Sequence, residues 1–162
     1  MVLDKFFDVE GNVHTPNDIS QVKFRPAVYI LVQNDKKEFL MILNGASTKW
    51  EISGGGLEIG EDLVECGIRE VKEETGYDIK IESELPFYIE KDLSYSRSKK
   101  EFEHSIHFFY KGKLISENRE EQHFAKGEKI LKVKFFSLDE LNDLDVAFWH
   151  KKALKKYLEL VK

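Results

Sequence analysis

"GGLEIGEDLVECGIREVKEETGY", Gly55 to Tyr77, joins a glycine-rich lead to a charged segment whose apolar residues recur at helical spacing. Val64, Gly67, Ile68 and Val71 share one flank, and Gly76 is suited to a left-handed stop, so the spacing predicts a helix over 61–75. At about 100° per residue, Glu70, Glu73 and Glu74 fall within an arc of roughly 100°, beside the flank that carries Val64, Ile68 and Val71. Like charges at these spacings repel by roughly 0.2–0.5 kcal/mol per pair. Either water solvates the three carboxylates or a cation binds them. Oxygen donors without nearby Cys or His suit a hard divalent ion, Mg²⁺ or Mn²⁺, which carboxylates, waters and substrate phosphates hold together.

Just upstream, "SGGGLEIGED" places Gly54, Gly55, Gly56 and Gly60 within seven positions. Glycines allow a ligand to approach the backbone closely and present a carbonyl or amide beside the acidic cluster. Further upstream, "AVYILV" (27–32), "EFLMIL" (38–43) and "KWEI" (49–52) have the composition of strands, with a hairpin turn at "NDKK" (34–37). Downstream, extended runs over 77–93 and 104–114 form an expected long antiparallel pair joined by a charged tip around 94–103. A further strand over 129–136 leads to Ser137 and Glu140, which have the spacing of a capping box. "VAFWHKKALKKYLELVK" closes the chain as a helix with an apolar stripe of Phe148, Leu154, Tyr157, Leu158 and Val161. Interspersed strands and helices make this an α/β fold.

The 162 residues, 41% apolar and 34% charged, suit one domain spanning 1–162. No run of about 18 apolar residues occurs and the first residues lack the basic start of a signal peptide, so a cytoplasmic protein with no membrane partner is expected. The single cysteine, Cys66, excludes an internal disulfide and reads as a small buried apolar residue. A net charge of −5 argues against nucleic acid as a partner, despite basic patches at "SRSKK" (96–100) and "HKKALKKY" (150–157). A homodimer stays open.

Gly55–Tyr77 resembles the signature box of the Nudix hydrolases. Gly55, Glu61, Arg69, Glu70, Glu73, Glu74 and Gly76 match all seven of its fixed positions, and Val71 its first bulky one, whereas Tyr77 is aromatic where an aliphatic residue is usual. "KWEISGGG" is similar to the strand that enters the box in the MutT-like branch, with Ser53 in place of the usual proline, and "KVKFFSLDEL" is similar to the closing strand and helix. The resemblance implies a Nudix-type α/β/α sandwich with a mixed β-sheet. It implies a metal-dependent hydrolase in which water attacks phosphorus in the diphosphate linkage of a nucleoside diphosphate joined to another group. Glu70 and Glu74 would bind Mg²⁺ or Mn²⁺ with help from the Gly55 backbone, Glu73 would serve as ligand or base, and Arg69 would orient Glu73. Glu61 would assist from the helix start. An additional acid is sought at Glu128, with Glu103 and Glu121 as other candidates.

The MutT-like features imply a nucleoside triphosphate substrate, with oxidised purines among them. Tyr95, 18 positions beyond Tyr77, resembles a tyrosine of dinucleoside polyphosphate hydrolases, the alternative enzyme. A Nudix-like sensor that holds a nucleotide without cleaving it is the other alternative; such domains commonly lose box glutamates, and this chain keeps all four. Phe24, Phe87, Tyr88 and Phe108 are candidate base-stacking residues. His104 and His107, three apart on one strand, belong on opposite faces.

Overall fold

The computed structural model describes residues 4–8, 10–97, 99–120 and 129–161. Its strands are β1 (Phe6–Phe7), β2 (Val13–His14), β3 (Val22–Gln33), β4 (Phe39–Asn44), β5 (Trp50–Glu51), β6 (Gly54–Gly56), β7 (Ile79–Ile81), β8 (Tyr88–Ser96), β9 (Glu101–Leu114) and β10 (Ile130–Phe136). The α-helices are α1 (Leu63–Thr75), α2 (Leu138–Asp143) and α3 (Phe148–Leu160).

The centre of the sheet is β3, which runs parallel to β9 in an unbroken register from Val22 opposite Phe102 to Gln33 opposite Lys113. On its other edge β3 takes β6, with Ala27, Val28 and Tyr29 facing Gly56, Gly55 and Gly54. β4 meets β3 at Gln33 and then pairs with β10 and β5, while β8 and β7 run antiparallel to β9. The mixed sheet expected from the sequence is present.

Alternation along these strands divides the core in two. Val28, Ile30, Val32, Leu40 and Tyr110 pack with Cys66, Val71 and Ile79 on the α1 side. Leu31, Phe39, Met41 and Phe109 pack with Leu141, Ala153, Leu154 and Tyr157 from α2 and α3 on the other. Odd-numbered residues of β9 thus face α3 and even-numbered ones face α1, which gives the three layers of an α/β/α sandwich.

Three sequence expectations need correction. Helix α1 begins at Leu63, two residues after the predicted start, because Asp62 caps it: its side chain accepts the Glu65 N–H at 2.8 Å, and Glu65 answers to the Asp62 N–H. The buried stripe of α3 is His150, Ala153, Leu154 and Tyr157, whereas Phe148 and Val161, assigned to it from apolarity, are 57% and 53% exposed. The i, i+3, i+4, i+7 rule was right but the phase was set by a histidine. Finally, the charged tip, expected only to join the two strands, is anchored to the rest of the fold. Arg97 lies 2.6 Å from Glu10 and 3.6 Å from Asp8, and so ties the tip to the chain's first turn. Tyr95 stacks on His14 with ring centroids 4.2 Å apart. Gly76 stops α1 as expected, at φ 75°, and Ser137 and Glu140 form the expected capping box.

Candidate active site

The glycine strand and α1 meet face to face. Gly55 lies on the α1 side of β6, and a Cβ there would fall 2.6 Å from the Glu70 carboxylate, so only glycine lets this acid come up against the strand. Gly67 plays the same part within the helix: a Cβ would stand 2.4 Å from Ile30 Cδ1, and its absence lets α1 sit low on β3. Glu74, 5% exposed, accepts from Ser53 Oγ at 2.7 Å and from the Gly54 N–H at 3.0 Å. A buried carboxylate is thereby held in one orientation by two donors. Ser53, visible in the sequence only as a substitution for proline, supplies one of those donors.

Arg69 knits the remaining acids together. Its Nε and Nη2 reach both oxygens of Glu61 at 2.7 and 3.0 Å, and Nη1 reaches Glu70 at 2.9 Å and Glu73 at 3.4 Å. The expected bond to Glu73 is therefore the longest of the set, and Glu61 is the principal partner. This fork also donates to the Gly56 carbonyl at 3.3 Å. The Arg69 hydrogen bonds hold the Glu61 carboxyl down at about 2, and the same contacts raise the guanidinium well above its ordinary value. Burial pushes the Cys66 thiol up to about 12, in keeping with an inert packing residue.

Among the described residues no three His, Cys, Asp or Glu side chains stand close enough to enclose a metal on their own. The donors still fit a hard divalent ion. Mg²⁺ characteristically takes one or two carboxylates and completes its shell with water and phosphate, and Glu70 and Glu74 lie on either side of a glycine cradle that a single methyl group would fill. Glu103 lies on the sheet face away from α1, and Glu121 and Glu128 fall outside the described residues.

The NUDIX domain model matches residues 23–157. The chain belongs to the Nudix family. A Bacillus subtilis (strain 168) protein named for 8-oxo-dGTP diphosphatase activity is 26% identical over 65 residues, 40% of this chain and 44% of that one. An RNA pyrophosphohydrolase of Roseobacter denitrificans (strain ATCC 33942 / OCh 114) is 29% identical over 86 residues, 50% of this chain and 54% of that one. The chain thus spans about half the length of the curated relatives it matches. A NUDIX hydrolase structure from Nitrosomonas europaea superimposes with a TM-score of 0.66 at 21% identity, over 85% of this chain and 90% of that one, a likeness of fold. No helix among the described residues is long and apolar enough to cross a membrane.

Beside the Nudix box, the α3 face of the sheet carries polar residues that the sequence reading did not gather. Arg25 of β3 packs against the box strand, since a Cβ on Gly56 would lie 2.9 Å from its guanidinium. Arg25 stands opposite Ser105, and Ser105 opposite Asp92, in one row across three strands. In the next row His107 stands opposite Glu90, which Lys152 of α3 reaches at 2.7 Å. His107 and His104 do occupy opposite faces, packing edge-on against Tyr29 and Phe24 respectively. Of the proposed stacking residues, Phe87, Tyr88 and Phe108 are packed into the two cores, and Phe24 is 63% exposed.

Burial holds His107 down to about 4 and His150 to about 3, and pushes Asp92 up to about 7. The Ile52 N–H donates to His150 Nδ1 at 3.1 Å, which requires a neutral ring. Below pH 6.5 the unfolded chain binds protons at both histidines that the folded chain refuses, so acid lowers stability. Asp92 works oppositely, since between pH 3.8 and about 7 the folded chain keeps a proton that the unfolded chain has lost. Two histidines outweigh one aspartate: stability should fall by on the order of 2 kcal/mol from pH 6.5 to 4.5. Urea denaturation across that range checks this, and the loss should steepen in Asp92→Asn. A flat profile would mean that the rings are not held neutral.

Proposed function

We propose that the chain is a metal-dependent Nudix pyrophosphohydrolase that cleaves the diphosphate linkage of a nucleoside diphosphate joined to another group, with nucleoside triphosphates, oxidised purines included, as its substrate class. The observation that carries this reading is the fixed Glu74 carboxylate, held by Ser53 and Gly54 at the edge of the glycine cradle into which Glu70 projects. The names of the two curated relatives, both of enzymes acting on pyrophosphate bonds, support the class of reaction.

Glu70 and Glu74 hold Mg²⁺ or Mn²⁺, aided by the Gly55 backbone, and Glu73, its side chain 31% exposed, is the third carboxylate, as ligand or base. A bound divalent ion supplies charge neutralisation and a template for the diphosphate oxygens. Arg69 keeps Glu70 in place through its own anchorage on Glu61, so that the acids are positioned before substrate arrives. Water adds to phosphorus and gives up a proton to a carboxylate acting as base, the bridging P–O bond breaks, and the pyrophosphate or nucleoside monophosphate leaves with the electron pair. The complete set of Glu61, Glu70, Glu73 and Glu74 favours this enzyme over a nucleotide-holding sensor.

A panel of nucleoside triphosphates, oxidised purine nucleotides, dinucleoside polyphosphates and nucleotide sugars, each with Mg²⁺ or Mn²⁺, tests the proposal. Release of pyrophosphate and a nucleoside monophosphate from triphosphates is expected, with none in chelator. If no member of the panel yields phosphate, pyrophosphate or monophosphate, the hydrolase reading fails.

A further inference from the structure

Helix α3 buries His150, Ala153, Leu154 and Tyr157, and beside that stripe runs another at helical spacing: Phe148, Lys151, Lys155 and Leu158. This second stripe borders a cavity of about 320 Å³ between α3 and α2. Leu138 at the start of α2 and Leu144 just past its end form one wall, Leu154 and Leu158 the other, with the buried rings of Phe39 and Tyr157 between them. Apolar space of this kind holds water poorly, and the atoms lining it forgo dispersion contacts that a hydrocarbon would restore. The charged residues described on its walls are all lysines, in a chain whose acids outnumber its bases 30 to 25, so this is a local reversal of charge. Lys152 is engaged with Glu90 at 2.7 Å, and Lys156, elsewhere on the helix, lies 3.4 Å from Glu159. Lys151 and Lys155 have no ion-pair partner among the described residues, although they stand one turn apart, where like charges repel. Glu140 of α2 is instead taken by the Ser137 N–H at 2.7 Å and by Lys134 at 3.7 Å.

We propose that this groove binds a medium-chain fatty acid, its hydrocarbon tail between the leucines of α2 and α3 and its carboxylate between Lys151 and Lys155. Charge complementarity selects the head group. Two ammonium groups one turn apart, neither paired within the fold, can each donate to one carboxylate, and charge-assisted bonds of this kind are the strong ones. The walls select the tail. Asn142 and Tyr157 are the uncharged polar side chains described there, too few to read a base or a sugar, whereas the leucines suit a saturated chain. Size limits its length, because the cavity lies at the small end of the range for ligand pockets. A membrane surface is a poorer match, since it calls for roughly four to eight clustered bases and two are unpaired here. No described wall comes from β6 or α1, so the site is separate from the glycine cradle and its acids.

The test titrates the full chain with octanoate, octanol and octyltrimethylammonium, each below its micelle-forming concentration, followed by NMR. Octanoate should bind saturably, about tenfold or more tighter than octanol and tighter still than octyltrimethylammonium, and should shift the signals of Leu141 and Leu154. Lys151→Gln combined with Lys155→Gln, both at exposed positions, should weaken octanoate by about tenfold and leave octanol unchanged. Leu138→Glu places an acid in the first turn of α2, where the helix accepts it, and should weaken octanoate more than octanol. Octanoate that binds no tighter than octyltrimethylammonium, shifts that fall outside α2 and α3, a double variant that binds as the parent does, or association with phosphatidylglycerol vesicles without saturable octanoate binding would each overturn the inference. Failure of the hydrolase reading leaves these outcomes untouched, because none of them involves a nucleotide or a metal.

Discussion

Glu74→Gln should reduce metal-dependent turnover by about a thousandfold or more while the protein stays folded. The substitution is chosen for what it keeps. Ser53 Oγ and the Gly54 N–H both donate to the same oxygen of Glu74, and the carbonyl of a glutamine of equal size can accept both. What disappears is the negative charge and one oxygen able to face a divalent ion. A thermal midpoint within a few degrees of the parent, corresponding to roughly 1 kcal/mol or less, would show that the fold survives. Activity equal to the parent in Mg²⁺ would remove Glu74 from the metal-binding set.

The largest loss of stability is expected from Gly54→Ala. At φ 152° the residue occupies a conformation that side chains rarely adopt, and a Cβ would stand 2.1 Å from the Val28 carbonyl oxygen and 2.6 Å from Tyr29 Cα. Both neighbours are backbone of the central strand, so relief requires opening the β3–β6 ladder, and with it the Gly54 N–H bond to Glu74. The cost should be on the order of 3 kcal/mol or more, accompanied by loss of turnover. Gly60→Ala is the matched control. Gly60 also has a positive φ, 89°, but nothing lies within 4 Å of its missing Cβ, and about 1 kcal/mol is expected. Urea denaturation of the two variants separates close approach from dihedral preference; equal midpoints would mean that β6 does not press on β3.

The contrast between these two glycines also shows what the sequence disclosed. Gly54 to Gly56 were recognisable as a place of close approach, and Glu70, Glu73 and Glu74 as one helical arc, because both signals are local. The glycine stop of α1, the hairpin turn and the Ser137 cap were legible for the same reason. Two features were not. The phase of α3 depended on His150, whose burial is decided by Ile52, Tyr29 and Phe109, residues far away in the chain. The row of Arg25, Ser105 and Asp92 exists only because β3 and β9 pair in parallel, and nothing in the segments taken singly states that register. Ser53 stood between these cases: its departure from the usual proline was visible, but its bond to Glu74 needed the helix laid against the strand.

The parallel partnership of β3 and β9 bears on how the protein reaches its working form. Val22 must find Phe102, and Gln33 must find Lys113, across about half of the chain, a pairing of the slow, long-closure kind. Helix α1, with reciprocal caps at one end and a glycine stop at the other, carries its own instructions and can form early. The acids would then be arrayed on a nascent helix beside β6, its neighbour in the sequence, before β9 closes on the other edge of β3. The box, on this account, can take shape as a local unit ahead of the sheet that β9 completes.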